Sequence, residues 1–459
     1  MDTGSVSTST HDAGHAIYDL AAEIYPICRS ITGDGVRQTL AILARHIPLD
    51  IQEIPTGTRV FDWTIPREWN IREAFIEDAN GRRIVDFAAS NLHVVSCSVP
   101  LNARMSLEQL APHIFTLPEQ PNLIPYRTSY YAENWGFCMR HRDFVSLPRG
   151  DYHAVIDADL RDGRLTYGEF YLPGQSEEEV LLSAHICHPS LANDNCSGIA
   201  LLVEMAKHLA AQPRRYSYRF VFAPGSIGAI AWLARNEARV HRIRHGLIVA
   251  GVGDAGGPTY KKSRRGDALI DRAMAHLIRQ NYPEGEIVDY SPYGYDERQY
   301  CSPGFNLPVG LIQRSRFGTF PEYHTSADNL DFIRAEHLGG SFGLIADALD
   351  LVEEQRTVVS RNPKCEPQLG RRGLYAAMGG GPEMPARTMA MLWVLSLADG
   401  VHSLLDMAER AGLPFADIRN TADLLERHGL VSEACAGEPM ATAWVDRRAC
   451  VLHTERGRK

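Results

Sequence analysis

The chain has 459 residues, 44% of them hydrophobic and 22% charged, the balance of a globular protein with two or three domains. A formal charge of −9 gives no footing for a general nucleic-acid or membrane-surface role. No apolar run approaches the length of a spanning helix, and the polar first ten residues lack the basic start and apolar core of a secretory signal. The nine cysteines are odd in number and scattered without a Cys-x-x-Cys pair, so they are expected to be reduced thiols in a cytoplasmic protein.

Residues 11–46 carry a helical pattern with apolar positions at Ile17, Leu20, Ala21 and Ile24, broken by the glycines at 33 and 35. From residue 51 to 150 the texture changes to short alternating runs bounded by Gly, Pro and Asn, which predicts a β-rich insert. Within it, residues 72–87 read as two strands around an Asn80-Gly81 turn. A further hairpin is expected around residues 161–164, joining strands at 152–160 and 165–172.

Residues 1–50 and 151–357 are expected to form one α/β domain, with a mostly parallel sheet covered by helices. Strands are predicted at 180–186, 216–222, 246–252, 286–290 and 308–313. Helices are predicted at 197–209, 227–235, 268–280 and 334–354. Residues 358–384, rich in Pro, Gly and Arg, read as a linker. Three short helices follow at 385–397, 403–411 and 414–428, with β-like pieces near Val431 and at 441–451, which is the pattern of a C-terminal winged-helix domain spanning 385–459. Its third helix sets Arg419 and Arg427 against Asp417, Asp423 and Glu426, a poor face for phosphate contact.

The segment from His185 to Gly198 carries the most chemistry. His185 and His188 close the apolar run at 180–184, and Asp194 follows in a turn rich in Asn that opens a helix. Imidazoles at a strand end with a carboxylate in the next turn make a nitrogen and oxygen site suited to zinc. For Asp194 the competing use is an Asx turn or helix cap. His188 is open between ligand, substrate contact and supporting donor. Cys187 and Cys196 flank the segment and read as small buried hydrophobes rather than ligands.

This segment resembles the M28-type di-zinc aminopeptidases, and more closely a bacterial family of aminopeptidase-like proteins with an inserted domain and a winged-helix tail. The resemblance covers most of the chain. It implies metal ligation by His185, by Asp194 and by His324, whose surroundings match the His-Thr-x-x-Asp segment of those enzymes. Asp254, at the end of a later strand, is the candidate for a further ligand. Thr325 and Asp328 are expected to support His324.

One departure matters. Where those peptidases carry a Glu-Glu pair, one a ligand and one the general base, this chain has Gly225 and Ser226. Loss of a ligand implies one zinc ion rather than two. Loss of the base leaves Glu322 and Glu297 as the carboxylates that could replace it. Asp296 and Arg298 are candidates for gripping a substrate amine or carboxylate. Tyr130 and Trp135, in an aromatic stretch at 126–137, could wall the pocket from the insert side or belong to the insert's core.

The expected function is a zinc-dependent aminopeptidase-like amide hydrolase acting on small peptides or aminoacyl conjugates. A non-hydrolytic metal-containing binding protein and a winged-helix regulator are the alternatives. No membrane partner is expected, nucleic acid is disfavoured by charge, and the insert or the tail offers surfaces for homo-oligomer contacts.

Overall fold

The computed structural model describes residues 10–374 and 386–434, which divide into two compact units at Ala346 and Asp347. The first unit is built on an eight-stranded sheet. Its strands run, edge to edge, Asp50–Pro55, Arg164–Leu172, Ser217–Ala223, Glu179–His185, Ile243–Val249, Val309–Gln313, Thr259–Lys261 and Glu286–Val288. The four middle strands are mutually parallel, while the flanks bring in antiparallel pairings. Helices pack on this sheet, among them Gly198–Ala210, Ile227–Asn236 and Leu269–Asn281.

The Glu179–His185 strand lies at the centre, and all seven of its residues are buried. A strand covered on both faces must be apolar throughout rather than alternating, and Val180, Leu181, Leu182 and Ala184 meet that demand. His185 is its last residue, at the carboxyl edge where ligands gather in open α/β sheets.

The insert forms its own antiparallel sheet, in the order Arg83–Asp86, Glu68–Glu77, Asp151–Arg161 and Leu101–Ser106. Trp69, Ile76, Phe137, Tyr152 and Ile156 form its core. The strands either side of Asn80-Gly81 pair as expected. The hairpin expected at 161–164 does not form: Asp151–Arg161 stays in the insert sheet, and Arg164–Leu172 crosses into the large one. Burial gives the reason. Asp151–Arg161 alternates between buried and half-exposed positions, whereas Arg164–Leu172 is buried on both faces from Leu165 to Phe170. The insert therefore begins after Pro55 and ends at Arg161, rather than spanning 51–150.

In the second unit, strands Thr357–Ser360, Asp399–Ser403 and Val431–Glu433 form an antiparallel sheet with Thr357–Ser360 in the middle. The expected linker thus starts with a strand of the winged helix. Helices Ala386–Leu397, Leu404–Ala411 and Phe415–Arg427 pack beside it. Ser403 and Asp406 cap the second of these reciprocally, and Gly412 ends it in the left-handed conformation. The strand expected at 441–451 lies outside the described residues.

Candidate metal centre

Asp194 organises the site. It sits in the tight turn between the Glu179–His185 strand and the Gly198–Ala210 helix, and it is 2% exposed. Its Oδ1 lies 2.7 Å from His185 Nε2, and its Oδ2 lies 3.0 Å from His324 Nε2. His188 Nδ1 is 3.9 Å from Oδ1. His185, His188 and Asp194 each present a ligand atom, and these atoms lie within 4.8 Å of one another, which makes the trio the candidate cation site among the described residues. His185 and His188 are buried, whereas the His324 side chain is 27% exposed, so the cluster opens to solvent on the His324 side.

The electrostatics match a cation site. Burial works to raise the Asp194 carboxyl, but the surrounding imidazoles outweigh it and hold the group well below the usual carboxylate range. Burial pushes His188 down to about 3, leaving it as the neutral imidazole that a metal binds. His188 Nδ1 is buried without a hydrogen-bond partner, a costly state that a cation would relieve. A borderline-hard divalent ion such as zinc fits two imidazoles and a carboxylate with an open fourth position.

The turn is held from a distance. Asp328 accepts the backbone N–H of Asn193 at 2.6 Å and that of Asp194 at 3.0 Å. Its carboxylate therefore supports Asp194, not His324. Thr325 Oγ1 donates to the Glu322 carbonyl at 2.8 Å and shapes the turn that presents His324. The insert fixes that turn as well, since Tyr126 N donates to the His324 carbonyl at 2.8 Å and Ser326 N to the Ile124 carbonyl. The Tyr126 ring stands edge-on to both His188 and His324, with centroids 5.2 and 5.1 Å away.

Most of the other candidate residues are engaged away from the cluster. Asp254 is saturated: it accepts from Asn193 Nδ2 at 2.8 Å, Ser315 Oγ at 2.7 Å and Gly256 N at 2.8 Å. Asn193 stands between it and the cluster, so Asp254 braces the turn rather than reaching the ion site. Glu297 is fully buried and ion-paired with Lys261, and its other oxygen accepts Tyr295 N at 2.9 Å. Glu322 is half-buried, two residues before His324. Arg298 is exposed. Asp296 is 1% exposed, shares a hydrogen bond with Ser226, and is pushed up to about 8 by burial and by Glu297 beside it. Trp135 stacks on His113 at 3.7 Å and packs into the insert core, away from the cluster. Tyr130 is 42% exposed and lines a cleft of about 330 Å³ with Tyr131, Arg67 and Glu133; burial and the nearby Cys187 and Asp194 raise its hydroxyl, so it stands within electrostatic reach of the cluster from the insert side.

Both flanking cysteines are buried with their thiols raised, Cys187 to about 12 by burial, so neither offers a thiolate. One residue at the site escaped the sequence reading. The Tyr295 ring lies on His185 with centroids 4.0 Å apart, and its hydroxyl meets Cys187 Sγ at 3.2 Å. The only sequence signal for it was Gly225, whose missing side chain leaves the space that ring uses.

Residues 18–355 match a family described as a domain of unknown function, DUF4910, and residues 356–433 match a winged helix-turn-helix family. The chain belongs to the DUF4910 family. A Clostridium acetobutylicum protein, named for polysaccharide biosynthesis and an aminopeptidase-like domain, is 48% identical over 419 residues, covering 91% of this chain and 96% of its own length. A crystal structure described as a peptidase from Clostridium acetobutylicum shares 46% identity with a TM-score of 0.88, covering 93% of this chain and 97% of that one. The zinc aminopeptidase BSAP of Bacillus subtilis shares the fold at 14% identity, with a TM-score of 0.56 over 76% of this chain and 96% of that one. The first unit thus has the zinc-aminopeptidase fold, with a β-rich insert, and the chain carries a C-terminal winged helix.

Proposed function

We propose that this protein is a metal-dependent amide hydrolase of the aminopeptidase type, acting on small peptides or aminoacyl conjugates with one divalent ion. The observation that carries this reading is the convergence of His185, His188 and Asp194 at the carboxyl edge of the central strand, with His188 Nδ1 buried and unpartnered. A zinc ion held there would polarise a substrate carbonyl and make water a better nucleophile. Asp194 supplies the anionic oxygen and orients His185, while His324 on the second oxygen faces the solvent side where substrate enters. Tyr323 stacks on one face of His324 and Tyr126 meets it edge-on, so the two tyrosines wall that entrance. Glu322, on the same turn, is the carboxylate left to take a proton, because Glu297 is committed to Lys261.

Gly225 and Ser226 favour a second reading, a binding protein that keeps the ion and has lost hydrolysis. Elemental analysis of the purified protein, with a panel of aminoacyl amides and aminoacyl sugars assayed with and without chelator, separates the two. The hydrolase reading expects a single equivalent of zinc and chelator-sensitive turnover. Zinc without turnover across the panel selects the binder, and absence of any divalent metal overturns both.

A further inference from the structure

We propose that Tyr295 is the positioning residue that fixes His185 as a metal ligand, and that Gly225 is glycine so that the Tyr295 ring can reach it. The proposal rests on the metal reading above and adds to it the source of the ligand's orientation.

A metal-bound imidazole normally has its second ring nitrogen tied to a carboxylate, carbonyl or water, which sets tautomer and ring plane. His185 lacks that tie. With Nε2 turned to Asp194, its Nδ1 meets only the Asn195 amide nitrogen, at 3.5 Å. That amide is already committed: its nitrogen donates to the Val249 carbonyl at 3.1 Å and to the His185 carbonyl at 3.4 Å, and its oxygen accepts Gly198 N and Gly251 N at 3.2 Å each. No acceptor therefore holds the His185 ring plane from Nδ1. The ring face is held instead. Tyr295 lies over it at 4.0 Å between centroids, tilted by 38°. The Tyr295 hydroxyl anchors the far end of the ring against Cys187 Sγ at 3.2 Å and the Gly225 carbonyl at 3.5 Å.

Two glycines make the arrangement possible. A Cβ at Gly225 would collide with the Tyr295 ring itself, so the ring would have to leave its place over His185. The loop that delivers Tyr295 is bent around a buried cation. Lys261 is 4% exposed, pairs with Glu297, and donates to the carbonyls of Ser291 and Tyr293 at 3.1 and 2.7 Å. Glu297 in turn accepts Tyr295 N. A Cβ at Gly294 would strike the ends of both Lys261 and Glu297, so a side chain there would push the buried pair apart and disturb the loop. Lys261 and Glu297, Gly294, Tyr295 and Gly225 thus form one chain of contacts ending on the His185 ring.

The test is zinc affinity by chelator competition on the full chain, with the visible spectrum of the cobalt(II)-substituted protein as the geometric readout and circular dichroism as the control for folding. Tyr295→Ala should weaken zinc binding by about 10- to 100-fold and shift the cobalt bands, as loss of an outer-shell partner does. Tyr295→Phe keeps the ring over His185 but loses the hydroxyl anchor, and should weaken binding less than Tyr295→Ala does. Gly225→Ala should reproduce the loss by displacing the ring, and Gly225→Ala with Tyr295→Ala should be no weaker than Tyr295→Ala alone, because both act through one contact. Should Tyr295→Ala fail to fold, Gly294→Ala perturbs the same ring from the far side of the loop and should move the cobalt bands in the same direction. Unchanged affinity and spectrum in folded Tyr295→Ala, or strict additivity with Gly225→Ala, overturns the proposal while leaving the metal reading intact. A wild type that takes up no zinc or cobalt overturns the metal reading, and this proposal with it.

Discussion

Asp328 Oδ2 accepts the backbone N–H of Asp194 at 3.0 Å, joining the turn after the central strand to the turn that carries His324. The same carboxylate accepts Asn193 N through Oδ1, and its backbone carbonyl accepts Ala192 N. One residue thus holds three consecutive positions of the metal turn. Asp328→Ala leaves two buried N–H groups without acceptors, at a cost of about 1–3 kcal/mol each. The expected outcome is a protein destabilised in urea unfolding that also binds zinc more weakly. Equal stability of variant and wild type, measured free of metal, would contradict the account of the turn.

The histidines are not equivalent. His185 and His188 share the Asp194 Oδ1 side, while His324 reaches only Oδ2 and is partly exposed. His185→Ala and His188→Ala should each abolish stoichiometric zinc. His324→Ala should retain zinc at reduced affinity and lose turnover. Isothermal titration of the three variants ranks them, and zinc retention by His188→Ala would move that residue out of the ligand set.

The two candidate bases should respond in opposite ways. Glu297 is fully buried against Lys261, and removing one partner of a buried pair costs about 3–5 kcal/mol. Glu297→Gln should therefore lower stability sharply, and its activity loss should track unfolding. Glu322 is half-buried and keeps its turn through its backbone carbonyl, so Glu322→Gln should leave the melting temperature alone. A fall in kcat with unchanged KM, of about 100-fold or more, is the expected signature of a lost base. If Glu322→Gln turns over like wild type, no carboxylate on that turn serves.

Much of this was legible in the sequence where physics is local. Helix and strand positions in the α/β region followed from periodicity, because a covered central strand reads as an unbroken apolar run and a helix as a 3.6-residue stripe. His185 and Asp194 announced themselves through a strand end and its turn, and His324 through the resemblance of its surroundings to a known peptidase segment. What escaped depends on contacts between distant segments. Whether residues 151–161 and 164–172 share a sheet is decided by their partners, not by the tight turn between them. Asp254 looked free until Asn193 and Ser315 were seen to saturate it. Tyr295 carried no local signal, since its meaning comes from a glycine in another loop.

The winged helix should not behave as a DNA-binding module. Arg419 pairs with Glu354 at 3.2 Å, and Arg356 is taken up by Asp423 and Glu426 at 2.6 and 2.7 Å. Those contacts withdraw basic groups from the third helix and its neighbourhood, where phosphate binding needs them free. The full-length protein is expected to leave duplex DNA unretarded in a gel-shift assay at 50 mM salt or above. A retarded band that weakens steeply with added salt would reinstate the regulator.

Asp296 gives the protein a pH signature independent of metal. Burial, then the neighbouring Glu297, raise its carboxyl to about 8, while Arg298 and the Ser226 hydrogen bond only partly oppose them. Its Oδ1 is buried without a partner, the state a neutral carboxyl tolerates better than an anion. In the unfolded chain the group titrates near about 3.9. Between about 4 and 8 the folded state therefore holds a proton that the unfolded state has released. Stability from this group is complete below the lower value and is lost as pH rises toward the upper one, with a slope of up to about 1.4 kcal/mol per pH unit. Asp296→Asn carries no such proton. In metal-free protein its stability in urea unfolding, relative to wild type, should rise between pH 5 and pH 8.5 by up to about 4 kcal/mol, that slope taken over the three pH units to the folded value. A difference between the two proteins that is the same at both pH values would mean that Asp296 is ionised in the fold and that its burial is offset by partners other than those named.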